Sequence, residues 1–255
     1  MRIIRFQHDD HISYGSIEHK NVCVWSKAPW LGGIATNQLI PLAEVKLMAP
    51  CEPRKIIATA INYPGATGLS EKMDEPLVFF KPSTSVIGPN DPIISPMSGL
   101  KVWGESELGL VIHQTLKNAK YDDVKKGVFG YTVGNDVSAD NVLDWDHHLA
   151  RSKGMDTFCV LGPWIDTEFK PGKQKIKGFH NGVLLREGCV NERLFQEPEL
   201  LIWLSSWITL EPGDVILTGA PTRVRDREYL SHGDYFKCEI EGLGEIKNSF
   251  LDVNE

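Results

Sequence analysis

The sequence predicts a β-dominated α+β protein, with a small strand-rich N-terminal lobe (residues 1–48) ahead of a larger domain (residues 49–255). Three observations carry that expectation. Apolar residues alternate with period two far more often than they recur with helical spacing. Gly, Pro and Asp turns cut the chain into short runs. A sustained helical stripe is well marked in one segment, EPELLIWLSSWITLEPGD.

Taken in order, MRIIRF, HISYGSI and KNVCVW read as the strands of the lobe, which ends at the punctuation Pro50–Pro53. KIIATAI, LVFFK and ELGLVIH continue the strand pattern, and a short helix is expected around residues 122–126. Residues 140–155 read as irregular. In the marked helix Pro198 suits a first helical position. Leu200, Trp203, Leu204, Trp207 and Ile208 then recur at i, i+3, i+4, i+7 and i+8, and Pro212-Gly213 stops it. VILTG and YFKCEIEG close the list of strands. The chain has no internal repeat and no low-complexity segment.

Bulk properties narrow the function classes. At 255 residues the chain can bury a sizeable core, and 42% hydrophobic with 24% charged residues is an ordinary soluble composition. A net charge of −7 without a basic stripe argues against nucleic acid or an anionic membrane as the main partner. No run approaches the ~20 apolar residues that span a bilayer. The N-terminus lacks a signal peptide's apolar core, so a cytoplasmic protein is expected. Cysteines 23, 51, 159, 189 and 238 are odd in number and form no CxxC pair, which predicts reduced, mostly buried thiols.

The chemistry starts at VWGESELGLVIHQ, residues 102–114. On a strand, Glu105 and Glu107 share one face, while Leu108, Leu110 and Ile112 take the opposite face toward a core. Two like charges side by side call for neutralisation by basic side chains, water or a metal ion. With Asp136 of GYTVGNDVSAD they form an all-oxygen set suited to Mg²⁺, Mn²⁺ or Ca²⁺ rather than Zn²⁺. A solvated strand face, with Asp136 capping a turn, accounts for the same spacing.

Several segments in one order go further. AINYPGATG (60–68), EPLVFFKPSTSVIGPNDPI (75–93), ESELGLVIH (105–113), GYTVGNDVSAD (130–140), RSKGMDTFCVLGPWI (151–165), HNGVLL (180–185), LEPGDVILTGAPTRV (210–224) and GDYFKCEIEGLGEIKN (233–248) resemble the fumarylacetoacetate hydrolase family. The resemblance runs from about residue 51 to 250. It implies a mixed β-roll or β-sandwich, commonly a homodimer, with Mg²⁺ or Mn²⁺ held by Glu105, Glu107 and Asp136. It implies that Lys153 contacts substrate. It also implies that the Thr218-Gly219 turn holds a substrate carboxylate, although Ala220 replaces the family's second threonine.

Departures bear on the reaction. Hydrolytic members resemble N-Y-x-x-H-x-x-E, whose His and Glu activate water; this chain has Ala66 and Leu69 there, which take no proton. Glu71 lies two residues further on. The family's Arg-Asp after D-x-S-A is Asp140-Asn141 here, and Arg186 takes the place of a pocket Gln. His147 and His148 are candidate acid–base groups near Lys153, whereas His113 is expected to be structural. Arg186, Arg223 and Arg225 are candidates for selecting an acidic group. The expected function is metal-dependent decarboxylation or isomerisation of a 2-oxo/enol dicarbonyl acid through a metal-bound enolate. C–C hydrolysis of an acylpyruvate- or fumarylacetoacetate-like substrate, and non-catalytic binding of a small acid, are the alternatives.

Overall fold

The computed structural model describes residues 1–65, 73–140 and 146–253. The lobe lays down β1 (Arg2–His8), β2 (His11–Glu18), β3 (Asn21–Trp25), β4 (Ala35–Pro41) and the short β5 (Lys46–Leu47). Next come β6 (Ile56–Ala60), β7 (Leu77–Lys81), β8 (Val86–Ile87), β9 (Ile93–Ser95), β10 (Val102–Trp103) and β11 (Ser106–Ile112). Helix α1 (Tyr121–Gly127) leads into β12 (Val128–Asp136) and β13 (Ser138–Ala139), then α2 (Ala150–Gly154) into β14 (Cys159–Asp166). The chain ends with β15 (Lys175–His180), β16 (Val183–Cys189), α3 (Glu197–Trp207), β17 (Val215–Leu217), β18 (Tyr235–Ile240) and β19 (Gly244–Asp252).

Among the described residues a 12-stranded sheet runs β4-β3-β2-β1-β14-β12-β11-β17-β6-β7, with β5 on β1 and β8 on β14. The lobe is therefore continuous with the rest through Ile3 opposite Ile165. A five-stranded sheet, β16-β15-β18-β19-β9, packs beside it, and β10 pairs with β13. β11 lies in the middle of the large sheet and is buried along its whole length. Leu110 and Ile112 pack with Leu200, Leu201 and Leu204 of α3, while Leu108 packs with Phe236 and Ile240 of the smaller sheet. Val111 joins Leu217 and the lobe's Trp30 in a third cluster.

Several expectations shift. Neither face of β11 is open to solvent, because sheet and helix layers cover both, and Glu105 precedes the strand rather than lying in it. β12 and β14 are long strands that alternation does not flag, because glycines interrupt it. A Cβ on Gly134 would stand 2.6 Å from Leu217 Cδ2, and one on Gly130 2.7 Å from the Asp166 carbonyl oxygen. Close packing demands the missing side chains there. Helix α3 forms where its stripe predicts, but Trp207 is exposed and Leu201 takes the buried position. The span read as irregular contains α2, which carries Lys153. All five cysteines are free; four are buried and Cys189 is half-buried. No helix among the described residues is long and apolar enough to cross a membrane.

Candidate active site

β11 and β12 pair antiparallel with Glu107 opposite Gly134 and Ser106 opposite Asn135. Just beyond, the Asp136 N–H donates to the Glu105 carbonyl (2.9 Å), and the Glu105 N–H donates to Asn135 Oδ1 (2.9 Å). That register brings one carboxylate oxygen each of Glu105, Glu107 and Asp136 within 4.8 Å of one another. Glu107 and Asp136 are buried, and Glu105 is partly so.

The three carboxylates are partnered unequally. Asp136 accepts from two lysines, Lys81 Nζ at Oδ1 (2.6 Å) and Lys153 Nζ at Oδ2 (2.5 Å). Lys153 also donates to Glu105 Oε2 (3.0 Å) and Ser138 Oγ (2.5 Å). Arg186 Nη2 donates to Glu105 Oε1 (2.6 Å), and its Nη1 donates to the Pro221 carbonyl (2.7 Å). Glu107 has one hydrogen bond among the described residues, from the Gly219 N–H (2.7 Å).

Titration follows the partners. Burial pushes the Glu105 carboxyl up, but Lys153 and Arg186 outweigh it and bring it down to about 2. Burial, then the charges of Asp136 and Glu105, lift Glu107 well above the usual carboxylate range. Burial works against the charge on Lys153, yet Asp136 and Glu105 raise its pKa, so it stays an ammonium.

The site residues read from the sequence distribute as follows. Glu105, Glu107, Asp136, Lys153 and Arg186 line one cavity of about 140 Å³, together with Arg223 and Arg227. His147 and His148 are exposed on the turn before α2 and are not among its lining residues. Leu149, next to them, lines it. Arg225 is exposed and lies outside the lining as well. The Thr218 hydroxyl donates to the Leu108 carbonyl (2.9 Å) and the Gly219 N–H is taken by Glu107. The turn therefore holds a carboxylate of the protein rather than presenting free donors to a ligand. Ala66, Leu69, Glu71 and Asn141 lie outside the described residues.

Three contributors escape the sequence reading. Lys81 is fully buried at the end of β7, and its only signal is a charge closing the apolar run LVFFK. Ser138 lies under Lys153. Asn62 bonds the Thr218 carbonyl (2.8 Å), the Phe195 carbonyl (3.1 Å) and the Phe195 N–H (2.7 Å). This fastens the Thr218 turn to β6 and holds the adjacent Ile61 at φ 53°, an unusual backbone for a β-branched residue.

The residues fit a hard divalent cation. The donor set is all carboxylate, and Glu107 is a buried carboxyl group whose one partner among the described residues is an amide, so a cation would favour its charged form.

Comparison with known proteins gives the chain its family. The family model for the fumarylacetoacetate (FAA) hydrolase C-terminal domain matches residues 55–251, and a model described as Rv2993c-like, N-terminal, matches residues 1–50. Oxaloacetate tautomerase Fahd2a, mitochondrial, from Rattus norvegicus is 37% identical over 229 residues, covering 84% of this chain and 72% of that protein. The crystal structure of 2-hydroxyhepta-2,4-diene-1,7-dioate isomerase from Mycobacterium marinum matches with a TM-score of 0.90 at 31% identity, covering 100% of both chains. Maleylpyruvate hydrolase from Sphingobium sp. SYK-6, in complex with manganese(II) and pyruvate, matches with a TM-score of 0.79 at 26% identity and 99% coverage of both. The relatives thus include a tautomerase, an isomerase and a hydrolase of small acids, and one of them holds a divalent metal. A matched model spanning most of the chain, together with relatives above one-third identity, establishes that the chain belongs to the fumarylacetoacetate hydrolase family.

Proposed function

We propose that this chain is a divalent-metal-dependent isomerase that interconverts oxo and enol forms of a small dicarbonyl acid. The observation that carries the reading is the carboxylate triad at the wall of a cavity whose other charged groups, among the described lining residues, are all cationic. Glu105, Glu107 and Asp136 would hold Mg²⁺ or Mn²⁺, and the same oxygen set accommodates Ca²⁺. Such a dication would supply Lewis-acid stabilisation of negative charge developing on a bound substrate.

The protein's own groups do the rest. Lys153 is kept charged by Asp136 and Glu105, so it serves as an N–H donor to developing negative charge and not as a base. Arg186 offsets the charge of Glu105, and Gly219 fixes the orientation of Glu107. Ala60, Phe79 and Leu149 supply the cavity's apolar lining. Among the described lining residues there is no histidine. The lack of a histidine to activate water weighs against hydrolysis, whereas oxo–enol interconversion needs only a carrier for the proton exchanged at carbon, a role that solvent water can fill.

The test is to follow enol-oxaloacetate and a 2-hydroxy-dienedioate after chelation and again after adding Mn²⁺ or Mg²⁺, identifying each product. Metal-dependent decay of the enol to the oxo acid, with the carbon skeleton intact, is expected. Cleaved acids as first products would replace the reading with a C–C hydrolase, and immediate CO₂ release would replace it with a decarboxylase.

A further inference from the structure

At the cavity's other charged edge, three guanidiniums gather. Arg186 spends its charge on Glu105. Arg223, opposite Arg186 in a β-bridge, makes no ion pair or side-chain hydrogen bond among the described residues. Arg227 has Asp140 as its carboxylate neighbour only at 3.8 Å, and Lys101 approaches that same carboxylate at 3.9 Å. Burial, then the charges of Arg227 and Arg186, lower the Arg223 pKa from its ordinary value. Glu105 and Asp226 pull the other way without reversing that shift, so cationic charge prevails at this edge among the described residues.

It is also rigid. The Arg227 guanidinium lies 3.9 Å over the Trp103 ring, and Trp103 meets Tyr229 edge-on at 6.1 Å. The Val224 N–H donates to the Leu185 carbonyl (2.9 Å) and the Leu230 N–H to the Val102 carbonyl (2.7 Å), so the segment is pinned on both sides of Arg227. Thr222 Oγ1 donates to the Pro64 carbonyl (2.7 Å) ahead of Arg223. The Arg227 side chain and the backbone that carries Arg223 therefore lose little freedom on binding a ligand.

Charge balance indicates what belongs there. Lys81 and Lys153 contact Asp136, and Lys153 and Arg186 contact Glu105, so three cations already offset the three carboxylates in number, and a divalent ion held by the triad would leave positive charge at its end of the cavity. Arg223 and Arg227 add more at the other. We infer that Arg223 and Arg227 form a clamp for the distal carboxylate of the substrate, so that the enzyme selects dianionic 2-oxo acids over their monoanionic counterparts. The inference rests on the proposed metal-dependent reading and adds the residues that set its substrate class. A planar guanidinium matches a carboxylate with two parallel N–H donors, which suits recognition at that end.

The experiment is isothermal titration of the Mn²⁺-loaded protein with oxalate, with 3,3-difluorooxaloacetate and with its 4-methyl ester. Wild type, Arg223→Gln and Arg227→Gln are compared. Oxalate reaches the metal end alone, so its binding reports the triad and not the clamp. The diacid is expected to bind wild type about tenfold or more tighter than the ester, from charge-assisted bonds to the second carboxylate. In both variants that ratio should fall toward one while oxalate still binds. Equal affinities in wild type, or a ratio that both variants leave intact, would overturn the clamp and, with oxalate bound, leave the metal-dependent reading standing. Failure of oxalate and diacid alike to bind any of the three proteins would bring down that reading and the clamp with it.

Discussion

Asp136 and Glu107 lie within one metal-sized cluster, yet their surroundings are opposite. Asp136 is gripped by two ammoniums, whereas Glu107 is held by one backbone amide and faces two other carboxylates. Both are buried. The difference separates two ways of keeping a carboxylate inside a protein. One is compensated by the fold itself and contributes to it; the other is left uncompensated and becomes a demand for an external cation. Stability and metal affinity should therefore reside in different members of the triad.

The largest consequence is at Asp136. Asp136→Asn removes the counter-charge of the fully buried Lys81 and should destabilise the protein by ~3–5 kcal/mol in denaturant titration. Adding Lys81→Met should restore much of that stability without restoring Mn²⁺ binding. If the double variant is no more stable than the single one, Asp136 is not acting as the fold's own compensated charge. A smaller effect belongs to metal addition. Mn²⁺ at a hundred times its dissociation constant should stabilise wild type by about 2.7 kcal/mol, read as a rise in Tm. Glu107→Gln keeps the size of the side chain, and should abolish that rise with little loss of metal-free stability. A variant still stabilised by Mn²⁺ would show that the ion does not need Glu107.

A third effect is in pH dependence, where the signs differ. Glu105, lowered to about 2 from an ordinary 4.5, contributes stability that is present above 4.5 and lost as pH falls through about 2. Glu107, raised above 4.5, contributes stability that is present below 4.5 and lost as pH climbs through its folded-state value. In metal-free protein, the stability of Glu107→Gln relative to wild type should thus grow as pH rises from about 4.5. Denaturant curves across that range check it, and a difference that is flat with pH would contradict the assignment.

How much of this is legible in the sequence follows from physical range. The E-x-E spacing is local, so it singles out Glu105 and Glu107 on strand periodicity alone. Their proximity to Asp136 depends on the β11–β12 register, to which the sequence gives no direct clue. The stripe of α3 is local too, and the helix forms where it predicts. Lys81 is not legible, because nothing in LVFFK says that its charge will be enclosed against a residue 55 positions away. The direction of the Thr218 hydroxyl is not legible for a related reason: the motif locates the turn, but where its donor points is set by the Leu108 carbonyl beside it. His147 and His148 look suitable by nearness in sequence to Lys153. The single turn of α2 is enough to carry the lysine inward and leave them in solvent.

One strand has a consequence for biosynthesis. β17 lies between β11 and β6, which do not touch without it, and it pairs in parallel with β6 by setting Leu217 opposite Ala58. A ribosome delivers β6 and β11 long before β17, so the growing chain holds two half-sheets with unpaired inner edges. The Asn62 amide likewise waits for Thr218, 156 residues downstream, before the turn that orients Glu107 can be fastened. Nascent chains should therefore gain the site in a single late step and be most prone to aggregate just before it. A chaperone that shields open strand edges would act in that interval.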